Sequence, residues 1–140
     1  LEIARGLIHH PKVLFLDDKP VRHELFTTWC HGADHCYGYD DCVKLLRLGK
    51  YDVVSLDHDL GEEDELCIPG ITNKYQTGTD VAKFIAKLVQ KPNMASLHTY
   101  NAMGAISMAS ILNAAGIKTM RVPFGFDKTI YSHLTELVKS

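Results

Sequence analysis

Three short clusters hold most of the side chains that could do chemistry: Asp17-Asp18, Asp57-His58-Asp59 and His98-Thr99-Tyr100-Asn101. Carboxylates brought together repel one another, and a divalent cation bound through oxygen offsets that repulsion, so Mg²⁺ or Mn²⁺ is the expected metal. Histidine is suited to proton transfer near neutral pH, which makes His58 and His98 candidate general acids or bases. The plainer reading has Asp18 and Asp59 merely capping the turns that follow them.

The elements around these clusters would bring them together. Val13-Leu14-Phe15-Leu16 is a continuous apolar run ending at Asp17, and Tyr51-Asp52-Val53-Val54-Ser55-Leu56 is a second strand-like stretch ending at Asp57. Both read as buried strands, as do 94–99 and 119–122. Helical spacing occupies 1–9, through Leu1, Ala4, Leu7 and Ile8, and 21–29, through Val21, Leu25, Phe26 and Trp29. Asp40 is placed to cap a helix carrying Val43, Leu45, Leu46 and Leu48 that Gly49 closes. Thr79 or Asp80 starts another, with Val81, Phe84, Ile85 and Leu88 facing inward; 101–115 and 128–138 complete the set. Residues 61–77 are polar and form the longest loop. Strands alternating with helices predict a single α/β domain over 1–140, with a doubly wound parallel sheet. In such sheets a ligand site lies outside the carboxyl ends of the strands, where the three clusters fall.

Composition narrows the partners. The chain has 140 residues, 46% hydrophobic and 23% charged, which suits a globular domain with its own core. Fifteen Lys and Arg against 17 Asp and Glu give a net charge of −2, so no broad basic field is available for duplex DNA. The apolar runs fall far short of the roughly 20 residues of a membrane helix, and no segment reads as a signal peptide. Cys30, Cys36, Cys42 and Cys67 are expected to be reduced thiols, hence a cytoplasmic location.

Further motifs carry a resemblance. Leu16-Asp17-Asp18, Arg22, Ser55-Leu56-Asp57-His58-Asp59-Leu60-Gly61, Thr77-Gly78-Thr79-Asp80, and His98-Thr99-Tyr100-Asn101 with Gly104-Ala105 and Met108 resemble the cyclic-phosphate processing receiver-like domains. That family is known mostly from phages and bacteria, and the likeness covers roughly residues 12–115. It implies a receiver- or flavodoxin-like sheet of strand order 2-1-3-4-5, with the second strand near residues 35–39. It also implies a role in processing cyclic phosphates at RNA ends. On this reading Asp17, Asp18 and Asp57 bind the metal with Asp59 in support, and His58 or His98 moves the proton. Asn101 holds a phosphate oxygen or orients His98, and Arg22 and Thr99 bind substrate. The forked guanidinium of Arg22 suits a phosphate, and Asp57 as nucleophile is a coupled reading. The partner would be a nucleotide or RNA end carrying a phosphate.

A response-regulator receiver is the alternative within this fold. Asp17, Asp18, Asp57 and Thr99 match its acid pair, phosphoacceptor and hydroxyl, but the Lys expected after the fifth strand is replaced by Val122-Pro123-Phe124. Residues 1–17 separately resemble the helix and Walker B strand of an ABC-transporter ATPase, which implies a recombined chain. No phosphate-cradling Gly-rich loop accompanies them, so ATP turnover is not expected. An inactive recombined chain is a further reading.

Two other groups of residues invite a reading. Cys30, His31, His35 and Cys36 offer ligands for Zn²⁺ at a spacing that fits no standard module, and a loop of reduced thiols is the plainer account. Met94, Met103, Met108 and Met120 are expected on buried faces.

Overall fold

The computed structural model describes residues 11–60 and 76–125. The expected helices over 1–9 and 128–138, and Cys67, lie outside the described residues. The five described strands are β1 (Val13–Leu16), β2 (Asp34–Cys36), β3 (Val53–Leu56), β4 (Met94–Leu97) and β5 (Lys118–Arg121). Between them run α1 (Pro20–Trp29), α2 (Tyr39–Leu48), α3 (Gly78–Ala86) and α4 (Ala102–Ala114). All strand pairs are parallel, in the order β2-β1-β3-β4-β5. This is the doubly wound receiver-like topology that the sequence predicts.

Apolar residues on both faces explain the central strands. Leu14, Leu16, Val54, Leu56, Ala95 and Leu97 point to a core under Val81, Ile85, Met108 and Leu112 from α3 and α4. Val13, Phe15, Val53 and Met94 point the other way, onto Phe26 of α1 and Phe124. A fully buried Leu or Phe contributes roughly 1.5–3 kcal/mol, so a sheet sealed on both sides is a rigid base for what projects from its end. Side chains alternate along a strand. Asp17, Asp57 and His98 therefore continue the series of Phe15, Ser55 and Ser96 and emerge on the α1 side.

Helix starts differ from expectation. Gly38, not Asp40, precedes α2, and the Asp41 carboxylate accepts the Tyr37 and Gly38 N–H groups at 2.7 and 2.8 Å. Thr77, not Thr79 or Asp80, caps α3: its hydroxyl accepts Thr79 N–H at 3.2 Å, while Asp80 accepts Thr77 N–H at 2.8 Å. That reciprocal pairing satisfies donors that a helix otherwise leaves open. The second strand is Asp34–Cys36 rather than 35–39. Some helix faces also differ: Val21, Leu25, Leu48 and Met103 are exposed, although their spacing predicted burial.

Candidate functional site

Asp17 is fully buried, and three donors converge on its carboxylate. Lys19 N–H reaches Oδ1 at 2.8 Å, while Arg22 Nη1 and His98 Nε2 reach Oδ2 at 3.2 and 2.9 Å. Burial by itself would raise its pKa, but these donors outweigh burial and hold it below the usual carboxylate range. His98 is buried as completely as Asp17, and its ring stacks on Phe15 with centroids 4.8 Å apart. Burial lowers its pKa and keeps the ring neutral. The hydrogen-bond network then assigns the proton to Nε2, facing Asp17, and leaves Nδ1 to accept from the Ser55 hydroxyl at 2.8 Å.

Asp57 stands beside this pair at the end of β3. Its carboxyl is pushed up to about 7, first by burial and then by the negative charge of Asp17, with Arg22 and His58 N–H pulling the other way. Arg22 Nη1 lies 3.9 Å from Asp57 Oδ2, so one guanidinium from α1 spans both acids. Asp17, Asp57 and His98 offer ligand atoms that all lie within 4.8 Å of one another. The two carboxylates fit a divalent ion of the Mg²⁺ type, and the charge strain on Asp57 is what a cation would relieve. His98 does not suit that ion, because its nitrogens already serve Asp17 and Ser55.

A second acid–histidine pair lies on the other side. His58 Nδ1–H donates to Asp59 Oδ1 at 2.9 Å, and His58 Nε2 meets the Thr79 hydroxyl at 3.1 Å. Asn101 caps α4 by accepting Gly104 N–H at 2.9 Å, and its Nδ2 reaches Asp59 Oδ1 at 3.3 Å. Gly104 and Gly78 make this packing feasible. A Cβ at Gly104 would overlap the His58 ring, and one at Gly78 would overlap the Asp57 carbonyl.

The open part of the site is a cleft of about 180 Å³. Asp18, Asp57 and Asp59 line it with Lys19 and Arg22, and Thr99 and Tyr100 complete the wall. The structure thus gathers every expected site residue at one sheet edge but sorts them by depth. Asp18, Arg22, Asp57, Asp59 and Thr99 face the cleft; Asp17 and His98 lie beneath it; His58 and Asn101 stand behind Asp59. Both histidines are therefore bound to protein partners rather than presented to a ligand.

The alternative Zn²⁺ group of Cys30, His31, His35 and Cys36 does not assemble. Cys30 packs with Phe15 and Phe26 on one face of the sheet, and Cys36 packs with Cys42 and Leu14 on the other. His31 is exposed, while His35 Nδ1 meets His23 Nδ1 at 2.7 Å. Sequence reading passed over Lys19 and His23, whose Nε2–H donates to the Asp17 carbonyl at 2.7 Å, and named Ser55 and Thr79 within motifs without giving them a site role. The adjacency of His23 to Arg22 was the available signal. The pairing of Ser55 with His98 gave none, since the two lie 43 residues apart.

Fold and acid-edged cleft together define a receiver-type α/β domain. The model of the cyclic-phosphate processing receiver domain matches residues 12–114, and the chain belongs to that family. The chain is similar in structure to a signal receiver domain from Vibrio parahaemolyticus, at 16% identity and a TM-score of 0.65, over 93% of this chain and 90% of that one. It is also similar to the BeF3-activated receiver domain of Klebsiella pneumoniae RstA, at 17% identity and TM-score 0.62, over 92% and 99% of the chains. A response regulator from Burkholderia pseudomallei, solved with a phosphorylated aspartic acid and a calcium ion, gives 13% identity and TM-score 0.58, over 91% and 72%. No curated relative matches the sequence. Among the described residues no helix is long and apolar enough to cross a membrane.

Proposed function

We propose that this domain performs metal-dependent phosphoester chemistry, opening the cyclic phosphate of a nucleotide or RNA end. The observation that carries the reading is the mixed charge of the cleft, where the Arg22 fork and Lys19 face Asp18, Asp57 and Asp59 within about 180 Å³. That volume suits a phosphate, and Arg22 is already oriented by Asp17 and Asp57 to bind one. Asp17, Asp18 and Asp57 would hold Mg²⁺ or Mn²⁺, which when bound polarises a phosphoryl oxygen and offsets the charge developing there. Asp59 is the carboxylate at the cleft surface that takes the proton of the attacking water, with His58 and Asn101 fixing its Oδ1. Water oxygen bonds to phosphorus, one ring P–O bond breaks, and the proton passes to the departing sugar oxygen. The product is a phosphate monoester. His98 keeps Asp17 ionised and aimed, a positioning role.

A regulatory receiver is the second reading, favoured by the placement of Asp57 and Thr99 at the ends of β3 and β4 and by the family's receiver neighbours. The route of the cation weighs against it, since Arg22 comes from α1 while β5 leads into Val122-Pro123-Phe124. Incubation with Mg²⁺ and either acetyl phosphate or adenosine 2′,3′-cyclic phosphate separates the two. Ring opening supports the phosphoesterase; a stable phosphoryl adduct on Asp57 without ring opening supports the receiver.

A further inference from the structure

At about 180 Å³ the cleft takes a phosphate but is smaller than a whole nucleotide, so part of such a ligand must lie on its rim. Tyr100 forms that rim. Its side chain is 62% exposed, yet the ring is held at two points. The hydroxyl donates to the Phe124 carbonyl, and the Arg22 guanidinium sits 5.6 Å from the ring centroid. The same guanidinium lies 5.4 Å from the Phe124 ring and 3.2 Å from Asp17, so Arg22, Tyr100 and Phe124 position one another. An exposed tyrosine on a surface ordinarily turns freely about its side-chain bonds; this one has little entropy left to lose when something stacks on it. Met103, 74% exposed, is the second residue of α4, and Ile106, 63% exposed, stands about one turn further on, so the two form an exposed apolar strip on that helix.

We infer that Tyr100 is a stacking shelf for the base of a nucleotide whose phosphate lies in the cleft beside Arg22. This rests on the phosphoester reading and narrows its substrate to esters that carry an aromatic base. Charge and shape both point to this occupant. An anionic group seated by Arg22 and Lys19 leaves its neutral, flat portion at Tyr100, whose ring is the one aromatic lining the cleft among the described residues. A stacked base contributes an affinity gain of about tenfold or more.

The test compares two probes with the same five-membered cyclic phosphate: adenosine 2′,3′-cyclic phosphate, and glycerol 1,2-cyclic phosphate, which has no base. Steady-state rates are measured in Mg²⁺ from the first few per cent of ring opening, and the two KM values are expressed as a ratio. The wild type should prefer the adenosine probe by about tenfold or more. Tyr100→Ala should bring that ratio close to one, and Tyr100→Phe should keep most of it. Saturation transfer from the wild-type protein should reach the adenine protons, and the transfer should be lost in Tyr100→Ala. A ratio unchanged in Tyr100→Ala overturns the shelf while leaving the phosphoester reading intact. Equal weakening of both probes also overturns it, since Tyr100 would then act only through Arg22. If the wild type opens neither probe, the phosphoester reading falls and the shelf falls with it. Self-association in sedimentation that Tyr100→Ala or Met103→Ser abolishes assigns the strip to a second copy of the chain and likewise overturns the inference.

Discussion

The Nε2–H of His98 donates to Oδ2 of Asp17 at 2.9 Å, and neither side chain has any exposed surface. The histidine thus lies below the acid, between it and Ser55, and cannot exchange protons with a ligand in the cleft. His98→Ala would leave a buried carboxylate short of a donor, a loss worth about 1.5–3 kcal/mol for a hydrogen bond to a charged group, with a cavity cost added beside Phe15. The expected result is a lowered urea midpoint together with weaker Mg²⁺ binding, by about 10–100-fold. An unchanged midpoint with a selective loss of rate would instead restore His98 as a proton carrier.

Asp57 makes stability fall as pH rises. Its folded pKa of about 7 lies above the ordinary 3.8. The folded state therefore holds a proton that the unfolded state has already released. Its contribution is fully present below about pH 4 and is lost as pH climbs through 7, for a total on the order of 4 kcal/mol. Urea melts in EDTA should show this decline between pH 5 and 8. Asp57→Asn should flatten it and be the more stable protein at pH 8. Saturating Mg²⁺ should recover the wild type at that pH, by about 2.7 kcal/mol at 100 times Kd.

Much of this site can be read in the sequence because two rules suffice for it. Strands buried on both faces are continuous apolar runs, as in Val13–Leu16, and ligands gather at their carboxyl ends. β2 escapes the first rule, since Asp34, His35 and Cys36 do not form an apolar run; its place beside β1 follows from the resemblance alone. The depth of each residue escapes both rules. Whether His98 faces substrate or core depends on Ser55, Phe15 and Asp17 meeting it in space. Met103 shows the same limit in α4: an Ala- and Met-rich helix has apolar residues all round, and only packing decides which of them turn outward.

Gly104→Ala should displace the His58 ring, whose nearest atoms fill the position of the new methyl. Asp59 then loses the nearer of the two donors that fix Oδ1, and Asn101 remains. The expected cost is about 1–3 kcal/mol from overpacking, together with a fall in turnover. Gly116→Ala makes the matched control, because its φ of +85° strains the backbone with no neighbour to strike. It should lower stability without altering activity per folded molecule.

Arg22 carries two duties that substitutions can separate. Arg22→Lys keeps a positive charge near Asp17 and Asp57 but loses the planar fork. It should fold as well as the wild type and bind phosphate esters more weakly, by about tenfold for a lost charge-assisted hydrogen bond of about 1.5 kcal/mol. Arg22→Ala removes the charge as well and should also lower stability at pH 8, where Asp57 is ionised. Calorimetric titration with adenosine 5′-monophosphate beside urea melts checks both. Equal affinity in all three proteins would remove Arg22 from the ligand site.

The most direct measurement is a ³¹P NMR time course of adenosine 2′,3′-cyclic phosphate with the wild-type protein in Mg²⁺, alongside EDTA and Asp57→Asn controls. The account predicts that the cyclic phosphate signal gives way to monoester signals only with the wild type and metal together. A cyclic signal that persists beside wild-type protein and saturating Mg²⁺, at a rate no different from buffer, would contradict it.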